Sequence, residues 1–139
     1  MPVLAHHPGV GFVMLRTARH GAIVLGANGS RRLSDDVVDG EDPLAAFGAN
    51  AAEHLRRHDA FPHCPDILVN GVYDPDADEI APFEDFMGSH GGLGGPQTHP
   101  FAVVPSTWAR PDRPIVGVRA MHETLRGWMG QPPAPAAEG

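Results

Sequence analysis

Five of the eight residues from Gly88 to Gly95 are glycine. Glycine loses more backbone freedom on ordering than any other residue, so a regular helix or strand across this stretch is disfavoured. Residues 88–96 therefore read as a loop. A loop so rich in glycine suits close approach to a ligand, a metal shell or another backbone. His90, followed by Gly91, projects from it, and neutral imidazole is a good zinc ligand. Read from residue types alone, the same stretch also fits a Gly-rich surface loop with an incidental His.

The body before the loop reads as alternating short elements. Val10 to Arg16 and Ala22 to Gly26 are β-rich apolar runs, and residues 17–21 between them are short enough for a hairpin. Asn28-Gly29 predicts a turn through its tolerance of positive φ. Residues 31–43 are polar and acidic, fitting a short strand pair or an exposed loop. Asn50 and Glu53 have capping-box spacing ahead of a helix over residues 51–58, which Pro62 and Pro65 end. Asp66 to Tyr73 predicts a central strand, because Ile67-Leu68-Val69 is an unbroken apolar triplet. Asp74-Pro75-Asp76 turns the chain, and Glu79 to Phe83 returns as an edge strand. Beyond the loop, Phe101 to Val104 predicts another strand. Val118 to Met129 predicts the last helix, with Met121, Leu125, Trp128 and Met129 on one face. Residues 131–139 read as a disordered Pro/Ala tail. The class is α/β, a short sheet with flanking helices.

A chain of 139 residues, 42% apolar, is long enough for one ordinary domain. The net charge of −7 argues against a nucleic-acid backbone as partner, and every fixed cation is an Arg. Cys64 stands alone, so an internal disulfide is excluded. No apolar run approaches the roughly 18 residues of a membrane span, so the chain as given reads as soluble.

Gly88-Ser89-His90-Gly91, followed by Pro96 and the apolar Phe101 to Val104 ending at Pro105, resembles the C-terminal Gly-x-His-Gly signature of the type I phosphodiesterase/nucleotide pyrophosphatase family, in the alkaline-phosphatase superfamily. Pro65 to Val69 resembles the strand that precedes this signature, and Gly117 to Met129 its closing helix. His7 to Arg16 resembles bacterial members in which such a domain follows a membrane-embedded region. The likeness covers nearly all of residues 6–129. It implies a partial alkaline-phosphatase-like domain over residues 1–130 with His90 as the last protein ligand to a divalent metal, normally zinc. It also implies a phosphoester or nucleotide-type substrate, hydrolysed between two metals by in-line displacement from a Thr or Ser. His99, close to the loop, fits a residue that supports a metal ligand or touches substrate, or a simple loop residue.

The family pattern also requires an Asp-His dipeptide, and this sequence has none. One His does not build a two-metal site. The expectation is therefore the C-terminal portion of a metal-dependent hydrolase, inactive alone, whose remaining ligands come from an upstream membrane-linked segment or a complementary chain. The alternative is a non-catalytic binding or interaction module of the same ancestry.

Other residues carry weaker signals. His54 and His58 lie at i and i+4 and share a helix face, as metal-binding pairs do. Residue 55 is Leu rather than the second-position Glu of a zinc-protease motif, and Arg56 and Arg57 beside the pair repel a cation, so it reads as a solvated face. An independent metal protein using His54, His58 and His90 is a third reading. His6-His7 reads as a frayed end. His63-Cys64 lacks a recognisable base and reads as structural. Asp74, Asp76 and Asp78 alternate as in a calcium loop but lack its Gly and Glu, and read as a turn.

Overall fold

The computed structural model describes residues 2–83, 92–95 and 98–130. It divides into two compact units, Met1–Pro100 and Phe101–Gly139.

The first unit is built on an antiparallel sheet. The strands are β1 (Val10–Thr17), β2 (Gly21–Leu25), β3 (Gly29–Arg32), β4 (Val38–Gly40) and β5 (Ile67–Gly71), in the order β4-β3-β2-β1-β5. β1 and β2 form the expected hairpin, with Met14 opposite Val24. Thr17 closes its turn, because its hydroxyl donates to the Gly21 carbonyl at 3.1 Å and accepts from the His20 amide at 3.0 Å. The second turn falls at Asn28-Gly29, where the Gly26 amide donates to the Gly29 carbonyl at 2.9 Å. Neither Asn28 nor Gly29 takes a positive φ there. Gly29 is required for another reason: a β-carbon would stand 2.2 Å from the Glu41 carbonyl oxygen.

Period-two alternation sorts the strands into two faces. Phe12, Met14, Ala22 and Val24 point to one side, where they pack with Leu33, Leu44, Phe47 and the helix residues Ala51, Ala52 and Leu55. That helix, α2 (Ala51–Asp59), follows a 3-10 turn over Ala45–Phe47. Phe47 meets Phe12 edge-to-face, with centroids 5.0 Å apart. On the other side of the sheet, Val13 packs with Ala5 of the short helix α1 (Pro2–Ala5) and with Val10, whose place in the alternation is offset by the register shift between Val10 and Phe12, and Leu25 and Val69 flank them.

Three sequence expectations are corrected here. Asn50 precedes α2, but its side chain makes no capping bond. The strand expected to be central, β5, pairs with β1 alone among the described residues and stands at an end of their sheet order. The N-terminal end is held rather than frayed: the His7 amide donates to the Leu4 carbonyl at 3.1 Å, and His7 Nδ1 accepts from the Gly9 amide at 3.1 Å.

β5 runs into a small hairpin, β6 (Tyr73–Asp74) with β7 (Glu79–Ile80). Asp74 Oδ1 accepts from the amides of Asp76 and Ala77, at 2.9 and 3.2 Å, so this carboxylate serves the turn.

The second unit contains α3 (Gly117–Trp128), within a residue of its predicted bounds, and none of its side chains is fully buried. Trp128 tilts against Trp108 with centroids 5.6 Å apart, and its indole N–H donates to the Ala109 carbonyl at 2.7 Å. Phe101 to Val104 is not a strand; Phe101 and Val103 are 89% and 88% exposed. Pro100 and Pro105 bracket the segment and donate no backbone bond, so the apolar run alone does not make a ladder. Residues 131–139 lie outside the described residues.

Candidate functional site

The described part of the Gly-rich loop is fastened at the end of β5. Asn70 is 4% exposed, the one buried polar residue among those described. Its Oδ1 accepts from the Leu93 amide at 2.8 Å, and its Nδ2 donates to the Leu93 carbonyl at 3.1 Å and to the Gly71 carbonyl at 3.0 Å. A side-chain amide here replaces the backbone partner that a neighbouring strand would have supplied. Gly94 follows in a backbone conformation with φ +106°, buried under Phe47, Ile80 and Tyr73. A β-carbon there would sit 3.0 Å from the Phe47 ring and 3.2 Å from Ile80. The glycines at this end of the loop thus let backbone pass against a packed aromatic corner.

Tyr73 forms the wall of that corner. Its hydroxyl donates to Asp78 Oδ1 at 2.7 Å. The hydrogen bond to Asp78, aided by partial desolvation, holds the phenol above its ordinary pKa, so Tyr73 stays protonated. Asp78 itself adopts φ +53° at the β6–β7 turn. Beyond the glycines, the Thr98 hydroxyl donates to the Gly95 carbonyl at 2.7 Å, and its oxygen lies 3.3 Å from His99 Nδ1. His99 is exposed.

His90, the expected metal ligand, lies outside the described residues, as do Gly88, Ser89 and Gly91. Among the described residues no group of three or more His, Cys, Asp or Glu could hold a metal ion. Cys64 is half-buried and packs against the main core, with its thiol 3.6 Å from the Pro65 carbonyl. His63 is exposed. His54 and His58 share a face of α2, but that face is not fully solvated: both are half-buried, and both Nε2 atoms are buried without a hydrogen-bond partner among the described residues. Asn70 was not singled out in the sequence. Its signal was a polar residue breaking the apolar run of Ile67 to Val69, and a buried amide needs partners.

Electrostatic structure concentrates away from the loop, between β3 and α2. Arg31 pairs with Asp36 and Asp42, each at 2.6 Å. Asp36 also accepts from Arg56, whose Nε donates to the Leu33 carbonyl at 2.6 Å. The Arg31 hydrogen bond, reinforced by Arg56, holds the Asp36 carboxyl below its ordinary pKa. This network ties helix to sheet.

Comparison with family models, with curated proteins and with solved structures gave no match to this chain. Among the described residues no helix is long and apolar enough to cross a membrane.

Proposed function

We propose that this chain is the C-terminal part of a metal-dependent phosphodiesterase/nucleotide pyrophosphatase-like hydrolase, contributing His90 as one metal ligand and lacking activity alone. The Gly88-Ser89-His90-Gly91 signature carries the reading. The Asn70–Leu93 pairing supports it, because a loop that delivers a ligand needs an anchor, and metal-ligating shells depend on such supporting bonds. In the intact enzyme His90 would join ligands and a nucleophile from another segment around a phosphoester. Because the described residues hold no metal set, no catalytic step is assigned to them.

The second reading, a non-catalytic binding module, is favoured by one observation: the core around Phe12, Met14, Val24 and Leu55 is closed by the first unit's own sheet and helix. A hydrolysis assay separates the two. The isolated chain, given zinc, manganese or magnesium, is expected not to hydrolyse bis-nitrophenyl phosphate or a nucleotide ester. Joined to a segment bearing the missing ligands and nucleophile, it should become active. His90→Ala should then reduce turnover by at least on the order of 100-fold. Metal-dependent turnover by the isolated chain that vanishes in His90→Ala would place a complete site within these residues and overturn the fragment reading. A joined chain indifferent to His90→Ala would leave the module.

A further inference from the structure

The Nε2 atoms of His54 and His58 are the two buried side-chain nitrogen or oxygen atoms that lack a hydrogen-bond partner among the described residues. Native proteins pair nearly all such atoms, and an exception asks for a missing water, ion or other ligand. Here the two exceptions share one face of α2, at i and i+4, so their β-carbons lie about 5–6 Å apart. Two imidazoles one helical turn apart, each with an unused ring nitrogen, have the sequence spacing of a chelating pair.

The sequence argument against such a pair was the charge of Arg56 and Arg57. The structure weakens it. Arg56 is committed to the Leu33 carbonyl and to Asp36, on the β3 side of the helix, and Arg57 is exposed. The next acidic residue of the helix, Asp59, binds Arg16 at 2.6 Å and does not compete for the imidazoles. His58 is further fixed by the Phe61 ring, whose centroid lies 5.7 Å away at 64°. One ring is thus held by packing while its nitrogen is left unused.

We propose that His54 and His58 bind one late first-row transition ion through their Nε2 atoms, as a two-imidazole site separate from His90. Since no third ligand-type side chain joins them among the described residues, solvent completes the coordination shell, and the rings move apart enough to admit it. Imidazole nitrogens favour such ions, and the general order of affinity places Cu2+ ahead of Zn2+. The chemistry is binding alone: no bond is made or broken beyond displacement of water from the ion.

The test is a titration of the full chain with Cu2+, followed by calorimetry and by electron paramagnetic resonance. One equivalent with nitrogen hyperfine structure is expected. His54→Gln and His58→Gln should each weaken that equivalent at least about tenfold, the lower bound for disturbing a metal's supporting shell. His90→Gln and a double His6→Gln/His7→Gln variant should retain it. Unchanged isotherms in both helix variants, or loss of the equivalent with His6 and His7, would overturn the proposal. Should either glutamine variant fail to fold, the wild-type chain decides by NMR. Substoichiometric Cu2+ should broaden the ring Cε1–H signals of His54 and His58 before those of the other histidines, and the reverse order overturns the site. None of these outcomes depends on whether the chain belongs to a hydrolase.

Discussion

Asn70 holds Leu93 by both of its backbone polar groups, accepting from the amide at 2.8 Å and donating to the carbonyl at 3.1 Å. This pairing joins residues 23 apart in sequence and fixes Leu93 at the end of β5. Asn70→Ala leaves both Leu93 groups unpaired at a largely covered position. A buried group left without its partner costs about 1–3 kcal/mol. That range corresponds to roughly 4–8 °C in Tm per kcal/mol for a domain of this size. Asn70→Asp keeps the acceptor but turns a lone pair on two carbonyls, and should lose as much at neutral pH. Thermal melts showing both variants within about 0.5 kcal/mol of wild type would mean that the pairing does not hold the loop.

Asp36 predicts an acid dependence of stability. Its carboxyl is held below the ordinary value by the hydrogen bond from Arg31 and then by Arg56. A carboxylate whose folded pKa is depressed adds stability that is fully present above the unfolded value, near pH 3.9 for Asp. That stability disappears as pH falls through the folded value. Asp36 sits at φ +59°, which Asn tolerates, so Asp36→Asn removes the charge with little backbone cost. Urea midpoints from pH 7 down to pH 3 should show the variant less stable at neutral pH and closing on wild type as pH falls. Parallel curves across the whole range would remove Asp36 from the acid response.

The sequence made the sheet hairpins and both longer helices legible because apolar periodicity, turn residues and prolines agreed. It failed where partners outside the local window decide. Phe101 to Val104 carried strand composition without a strand to pair with, and the bracketing prolines outweighed it. Asn50 carried the capping residue type, but its side chain was not recruited. The rank of β5 in the sheet was hidden because an apolar triplet reports burial on two faces, not sheet order. At the site, the glycines were visible while their anchor, Asn70, was masked inside a strand pattern. His54 and His58 were visible as a spacing, but their burial depended on how α2 docks.

A third prediction concerns the sheet face opposite α2. Leu15 stands between Ile23 and Ile67, and Val13 between Leu25 and Val69, so three strands present apolar side chains to one side. Val13 is buried there, whereas Ile67 is 42% exposed and Leu15, Ile23, Leu25 and Val69 are half-buried. Exposed apolar area of this kind marks an interface or an aggregation site. The isolated chain should bind a hydrophobic dye and self-associate as concentration rises, and Ile67→Lys should reduce both. A monodisperse monomer without dye binding would show that this face needs no cover.

The last prediction sets two glycines against each other. Gly94 has φ +106°, and a β-carbon there meets Phe47 at 3.0 Å and Ile80 at 3.2 Å. Gly127 lies inside α3 with open space around the position of a β-carbon and no positive φ. The same substitution should therefore have opposite signs. Gly94→Ala forces an L-residue into a conformation it rarely adopts and presses it on the aromatic corner, at about 1–3 kcal/mol. Gly127→Ala reduces the freedom of the unfolded chain without a clash, and should stabilise the helix by roughly 0.4–1 kcal/mol. Denaturant titrations of the two variants, with helix content followed for Gly127→Ala, provide the measurement. Equal effects would show that the Gly-rich loop is not packed against Phe47 and Tyr73, and the anchoring argument for the loop would lose its basis.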